Sequence, residues 1–189
     1  ESIELYEFDL AWLDLTITKI HPYHYGEHLT INDYEGYSLK FIADPINDGC
    51  VVKCEVEPTE PTSITIPASV SIDGNAYNVT TIGASAFSGC MNLTNIEIPN
   101  TVTSIVEYAF SSCRGLIDFY LPSSVVYIGY LSFNDCSSLT NFTIAENSQL
   151  TSIHNSAFAS CTNLTDFIFA ENSQLTSISN FVFKECTNL

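Results

Sequence analysis

Ala86-Phe87-Ser88-Gly89-Cys90-Met91-Asn92-Leu93-Thr94-Asn95-Ile96-Glu97-Ile98-Pro99 decides the fold, because the chain writes the same pattern several times over. The dipeptides Ala86-Phe87, Ala109-Phe110, Ser132-Phe133, Ala157-Phe158 and Val182-Phe183 set the register. Three residues after each Phe comes a Cys: Cys90, Cys113, Cys136, Cys161 and Cys186. Three residues after each Cys comes a Leu: Leu93, Leu116, Leu139, Leu164 and Leu189. The cysteines are 23, 23, 25 and 25 residues apart. Triplets in register at this spacing mark a repeat architecture.

Each Leu leads into alternation: Ile96-Glu97-Ile98-Pro99, Phe119-Tyr120-Leu121-Pro122, Phe142-Thr143-Ile144-Ala145 and Phe167-Ile168-Phe169-Ala170. That is the period of a half-buried strand. Proline removes a backbone donor and ends pairing where it occurs. A second apolar piece follows in each unit: Val102 to Ile105, Val125 to Ile128, Leu150 to Ile153 and Leu175 to Ile178. The longer units gain their extra residues where Pro99-Asn100-Thr101 becomes Ala145-Glu146-Asn147-Ser148-Gln149, a lengthened polar turn. A unit this short cannot bury its apolar face alone, so stacking must supply one continuous core. The Ala-Phe-x-x-Cys piece is too short for a full helix and predicts a single helical or 3₁₀ turn.

These residues resemble the BspA-like leucine-rich repeats, a family of bacterial and protist surface proteins. The likeness rests on A-F-x-x-C-x-x-L-x-x-I-x-I-P, here Ala86 to Pro99, then Val102 to Ile105, with Thr81-Ile82-Gly83 just before. It covers residues 62–189. Gly83 and Gly129 keep the family glycine; Val106, His154 and Ser179 replace it, which weakens the expectation of positive φ at those three. The resemblance implies a right-handed arc with a β-sheet on one face. It also implies a cell-surface or secreted, adhesive protein rather than an enzyme. The expected fold is thus a leucine-rich-repeat solenoid, mostly β with short helical or 3₁₀ turns, preceded by a small β-rich cap. The cap takes residues 1–61. About five repeats take 62–189, the last incomplete. The pattern stops mid-unit at Leu189, and further repeats in a longer parent are expected to cover that rung.

In the cap, Ser38 to Ala43 and Cys50 to Val56 flank a turn-rich stretch and read as a hairpin. Cys50, Val52, Cys54 and Val56 share one face of its second strand, Lys53 and Glu55 the other. Ile64 and Ile66 before Pro67 match the repeat strand. Val70 to Ile72 and Tyr77 to Val79 form a second hairpin around Asp73-Gly74-Asn75. In residues 1–37, Thr16-Ile17-Thr18 and Leu29-Thr30-Ile31 favour strands.

The 189 residues hold 22 Asp+Glu against 5 Lys+Arg, a formal charge of −17. The cap carries 13 of the acidic and 3 of the basic residues. This balance excludes nucleic acid, whose phosphates call for Lys and Arg, and excludes docking on anionic lipid through a basic patch. No apolar run is long enough to insert in a membrane.

The ladder cysteines lack the close pairs of a zinc site and would stack in line with parallel side chains, which does not suit a disulfide. They read as buried thiols acting as small hydrophobes. Seven cysteines leave at least one unpaired within the chain. His21, His24, Glu27 and His28 are metal-ligating types, but Pro22 and Gly26 break any helix that would align them, and a loop is expected. No nucleophile–base motif, Gly-rich phosphate loop or cofactor signature occurs. Asn-x-Thr sequons at Asn78, Asn92, Asn141 and Asn163 fit repeat composition and matter only in a secreting eukaryotic host.

The outward strand positions form two rows. One is Ser63, Asn95, Asp118, Asn141 and Asp166; the other is Thr65, Glu97, Tyr120, Thr143 and Ile168. From Asn95 onward they are the candidate binding residues. Short polar groups with one aromatic and one aliphatic suit recognition of a protein ligand, on the host or in the extracellular matrix. A merely solvated face, a structural Asn/Asp ladder and a weak Ca²⁺ surface are the alternatives. A rigid spacer presenting another domain is the rival function.

Overall fold

The computed structural model describes residues 28–34, 37–44, 49–55, 62–72, 74–169 and 172–189. The predicted cap hairpin is present: β2 (Tyr37–Asp44) runs antiparallel to β3 (Gly49–Glu55), with Ala43 opposite Cys50. Cys50 and Val52 are fully buried. A further strand, β1 (His28–Tyr34), pairs antiparallel with β2 and contains Leu29-Thr30-Ile31. Thr16-Ile17-Thr18 and Val56 lie outside the described residues. The second hairpin joins β5 (Ser69–Ile72) to β6 (Asn75–Ile82), and Gly74 takes the left-handed φ of 83° that its tight turn requires.

Each repeat then supplies two strands. The longer ones, β7 (Asn95–Glu97), β9 (Asp118–Leu121), β11 (Asn141–Ile144) and β13 (Asp166–Ile168), match the alternating pieces, and β4 (Ser63–Thr65) precedes them. The second apolar pieces form two-residue strands: β8 (Ser104–Ile105), β10 (Tyr127–Ile128), β12 (Ser152–Ile153) and β14 (Ser177–Ile178). One sheet runs unbroken from the cap to the last repeat in the order β1-β2-β3-β6-β8-β10-β12-β14, with β5 on β6. The other face divides into two sheets, β4-β7 and β9-β11-β13.

The Ala-Phe-x-x-Cys segments are turns; no helix forms among the described residues. Their amides alternate. Ala86, Ser88 and Cys90 donate three residues back within the turn, to Gly83, Ser85 and Phe87. Ser85, Phe87 and Gly89 donate across to Glu107, Ala109 and Ser111 of the next repeat at 2.7–3.0 Å. Left-handed residues enforce this alternation and stop helix propagation. Ser85 and Gly89 are followed in register by Tyr108 and Ser112, Leu131 and Asp135, Ser156 and Ser160, and Phe181 and Glu185. A non-glycine residue there costs on the order of 1–2 kcal/mol. The cross-repeat bonds offset that cost.

Neither Gly83 nor Gly129 has positive φ, so the family glycine serves another purpose. A Cβ on Gly129 would lie 2.5 Å from the backbone carbon of Val106. The glycine permits close approach of neighbouring rungs.

The core is an aromatic stack. Phe87, Phe110, Phe133 and Phe158 are fully buried, with successive ring centroids 5.1–5.2 Å apart and nearly parallel. A second stack, Phe119, Phe142 and Phe167, runs beside it at 5.1–5.2 Å. Its rings meet the first edge to face, as Phe119 does Phe133 at 4.7 Å. Leu93, Leu116, Leu139 and Leu164 complete each rung and are fully buried. The ladder is not buried to its end. Phe183 and Cys186 are half-buried, and Leu189 is 52% exposed.

Candidate functional site

The division between β7 and β9 coincides with two changes of residue. The inward residue is Ile64 and Ile96 in the first pair of strands, then Phe119, Phe142 and Phe167 in the next three. Like stacks on like within each sheet, and Phe119 has no ring to stack on at Ile96. The residue leading into the strand is Thr94, Thr140 and Thr165, but Ile117 before β9. Those three threonine hydroxyls donate to the carbonyls of Thr62, Ile117 and Thr140 on the rung behind, at 2.7, 3.2 and 3.2 Å. Ile117 has no hydroxyl to make this clip, and its side chain is 46% exposed.

The outward rows part at the same place. Asn95 Nδ2 donates to Ser63 Oγ at 3.3 Å, and Thr65 Oγ1 donates to Glu97 Oε2 at 3.3 Å. Asn141 Nδ2 donates to Asp118 Oδ1 at 2.5 Å. Side-chain bonds of the structural-ladder kind therefore join β4 to β7 and β9 to β11 but do not cross from β7 to β9. Asp166 accepts from its own neighbour Thr165 at 2.9 Å.

A groove of about 540 Å³ runs over the outward face of β7, β9, β11 and β13 and takes in this seam. It gathers Asn95, Glu97, Asp118, Tyr120, Asn141, Thr143 and Ile168 of the candidate residues, while Asp166 lies outside it. Tyr120 and Ile168 are 61% and 50% exposed; Asn141 and Thr143 are half-buried. The groove also reaches Ile96, Ile98 and Phe119, inward residues that sequence reasoning assigned to the core. The signal for them was Ile117 standing where other repeats carry Thr. Chemically the groove offers two carboxylates, a phenol, amides and an apolar floor.

The ladder cysteines are thiols, and burial covers Cys90, Cys113, Cys136 and Cys161 completely. They are more than small hydrophobes. Cys113, Cys136, Cys161 and Cys186 each donate to a phenylalanine carbonyl one rung behind, Phe87, Phe110, Phe133 and Phe158, at 3.0–3.1 Å. Burial pushes the Cys50 thiol up to about 12 and also raises Cys136. Donation of the S–H toward the preceding thiol, with burial behind it, raises Cys161 and Cys186. Thiolate chemistry is thereby suppressed. Among the described residues no group of three metal-ligating side chains converges. His21, His24 and Glu27 lie outside the described residues, and His28 opens β1.

The model of the BspA type leucine rich repeat region matches residues 59–189 in six copies. The chain belongs to this family. Its fold is shared with a T. pallidum leucine-rich repeat protein, at TM-score 0.70 and 24% identity over 80% of this chain and 66% of that one. A Bacteroides ovatus leucine-rich repeat protein matches at TM-score 0.58 and 26% identity, over 93% of this chain and 46% of its own length. The pneumococcal vaccine antigen PcpA matches at TM-score 0.54 and 18% identity, over 83% of this chain and 47% of its own. This leucine-rich repeat chain thus spans less than two thirds of each of these proteins. No curated protein sequence matches it.

Proposed function

We propose that this chain is a non-enzymatic interaction module of a cell-surface or secreted protein, with residues 1–61 as cap and 62–189 as the repeat array. It binds a protein partner, of the host or the extracellular matrix, in the groove over β7, β9, β11 and β13. The groove itself carries the reading. It brings Glu97 and Asp118 beside an exposed aromatic and an exposed aliphatic, Tyr120 and Ile168, over an apolar floor. Such a mixture suits a basic or polar segment with an apolar anchor, and the charge of −17 favours its approach. Family membership supports a surface location and adhesion, as the sequence resemblance implies. The rival reading, a rigid spacer, draws support from the continuous phenyl stack.

The test is binding of this chain to a panel of immobilised matrix and cell-surface proteins at low and physiological salt. Beside it runs the variant Asp118→Ala, Tyr120→Ala, Asp166→Ala. A saturable hit is expected that weakens as salt rises and is lost in the variant without loss of folding. A folded chain that binds nothing above background overturns the proposal in favour of the spacer.

A further inference from the structure

The unbroken sheet carries a second surface, away from the groove. Gly129 follows β10 and lies alongside Val106: its N–H reaches the Ile105 carbonyl at 2.8 Å, and Val106 adjoins Ile105. Without a side chain there, the Val106–Glu107 backbone closes in, and a Cβ on Gly129 would sit 2.7 Å from the Glu107 nitrogen. The Tyr108 N–H donates to the Tyr130 carbonyl at 2.9 Å, and Glu107 directly precedes Tyr108. The Tyr108 and Tyr130 rings meet edge to face, 5.5 Å between centroids, and the residues are 37% and 44% exposed. Tyr127, in β10 three residues before Tyr130, has its ring 5.4 Å from His154. Burial and then Glu107 push the Tyr127 phenol up. Partial desolvation, then Tyr130, then Glu107 push Tyr108 up. The ion pairs Arg114–Asp135 and Lys184–Glu185 do not engage Glu107.

We propose that Glu107, Tyr108, Tyr127 and Tyr130 form a second docking surface, for an arginine or lysine side chain presented by a protein partner. Aromatic faces attract cations through their quadrupole, and a carboxylate beside them adds charge of the same sign. The rest of the array adds to the field, with 9 acidic and 2 basic residues over 62–189. A neutral ligand such as a glycan would gain from the rings but not from Glu107.

The experiment is an NMR titration of the whole chain with a tetra-arginine peptide, following the tyrosine ring signals. Tetra-citrulline serves as the neutral control and maltotetraose as the glycan control. Saturable shifts at Tyr108, Tyr127 and Tyr130 are expected with tetra-arginine alone. They should weaken roughly fivefold in Glu107→Gln and in Tyr130→Leu, as loss of one exposed cation contact would give. They should persist in the Asp118→Ala, Tyr120→Ala, Asp166→Ala variant, which separates this surface from the groove. Glu107→Gln changes only a surface charge, so it decides the matter even where a tyrosine variant fails to fold. Equal shifts with tetra-citrulline or maltotetraose, or shifts that never saturate and spread over all acidic residues, overturn the proposal.

Discussion

The strip of β6, β8, β10, β12 and β14 pairs without a gap, whereas the face of β4, β7, β9, β11 and β13 parts between β7 and β9. Both are written by the same repeat. On the continuous strip the inward residue is Ile at every rung from Ile82 to Ile178, and the pairing is Ile against Ile throughout. On the parted face, Ile gives way to Phe and Thr gives way to Ile at one rung. Uniform inward volume keeps rung spacing uniform, and a single change of shape leaves a seam. A solenoid can thus hold a rigid spine and a local opening in one chain, and the opening is where side chains of mixed chemistry become reachable.

The largest effect should come from a residue serving both faces. Phe133 stacks between Phe110 and Phe158 and meets Phe119 and Phe142 edge on. Phe133→Ala should cost about 3–5 kcal/mol, read as a fall in the denaturant midpoint. A loss below about 1 kcal/mol would mean that the stacks do not hold the two faces together.

Alkali should act on the shared core next. The folded state holds Cys50, Cys136 and Cys161 as neutral thiols, and burial or the neighbouring thiol raises each of them. Unfolded thiols lose their proton near pH 8.5. Stability is therefore fully present below that pH and falls as pH rises toward about 12, the folded value of Cys50. The melting temperature should be flat from pH 7 to 8 and decline from pH 9 upward. A flat profile to pH 10.5 would show that the thiols are not sealed.

A smaller effect of opposite sign should come from Ser132, which stands where three other repeats have Ala. Its hydroxyl is fully buried and has no hydrogen-bond partner. Ser132→Ala should stabilise by about 1 kcal/mol, measured by thermal unfolding. An equal loss would point to a partner made in solution.

Much of this was legible in the residues. Phe, Cys and Leu at fixed intervals gave the rungs, and alternation gave β7, β9, β11 and β13. Turn chemistry at Asp73-Gly74 gave the second hairpin. The two-residue strands were not legible, because alternation needs more than two positions to show. Nor were the left-handed residues, since only Gly89 advertises such a backbone and Tyr108, Leu131 and Phe181 do not. The outward positions pair in register within each sheet, as the alternation implied. Their interruption was hidden because Ile117 and Phe119 are as apolar as a strand requires, and only their shape and missing hydroxyl matter.

That claim has a direct test in native-state amide hydrogen exchange. Tyr120 in β9 and Thr143 in β11 are register partners. The ladder alternation aims the Thr143 amide at β9 and the Tyr120 amide at β7, across the seam. The Tyr120 amide should exchange at least tenfold faster than that of Thr143. In the double variant Ile117→Thr, Phe119→Ile it should slow to match. Equal protection in the unaltered chain, or no slowing in a folded double variant, would contradict the seam and the groove built on it.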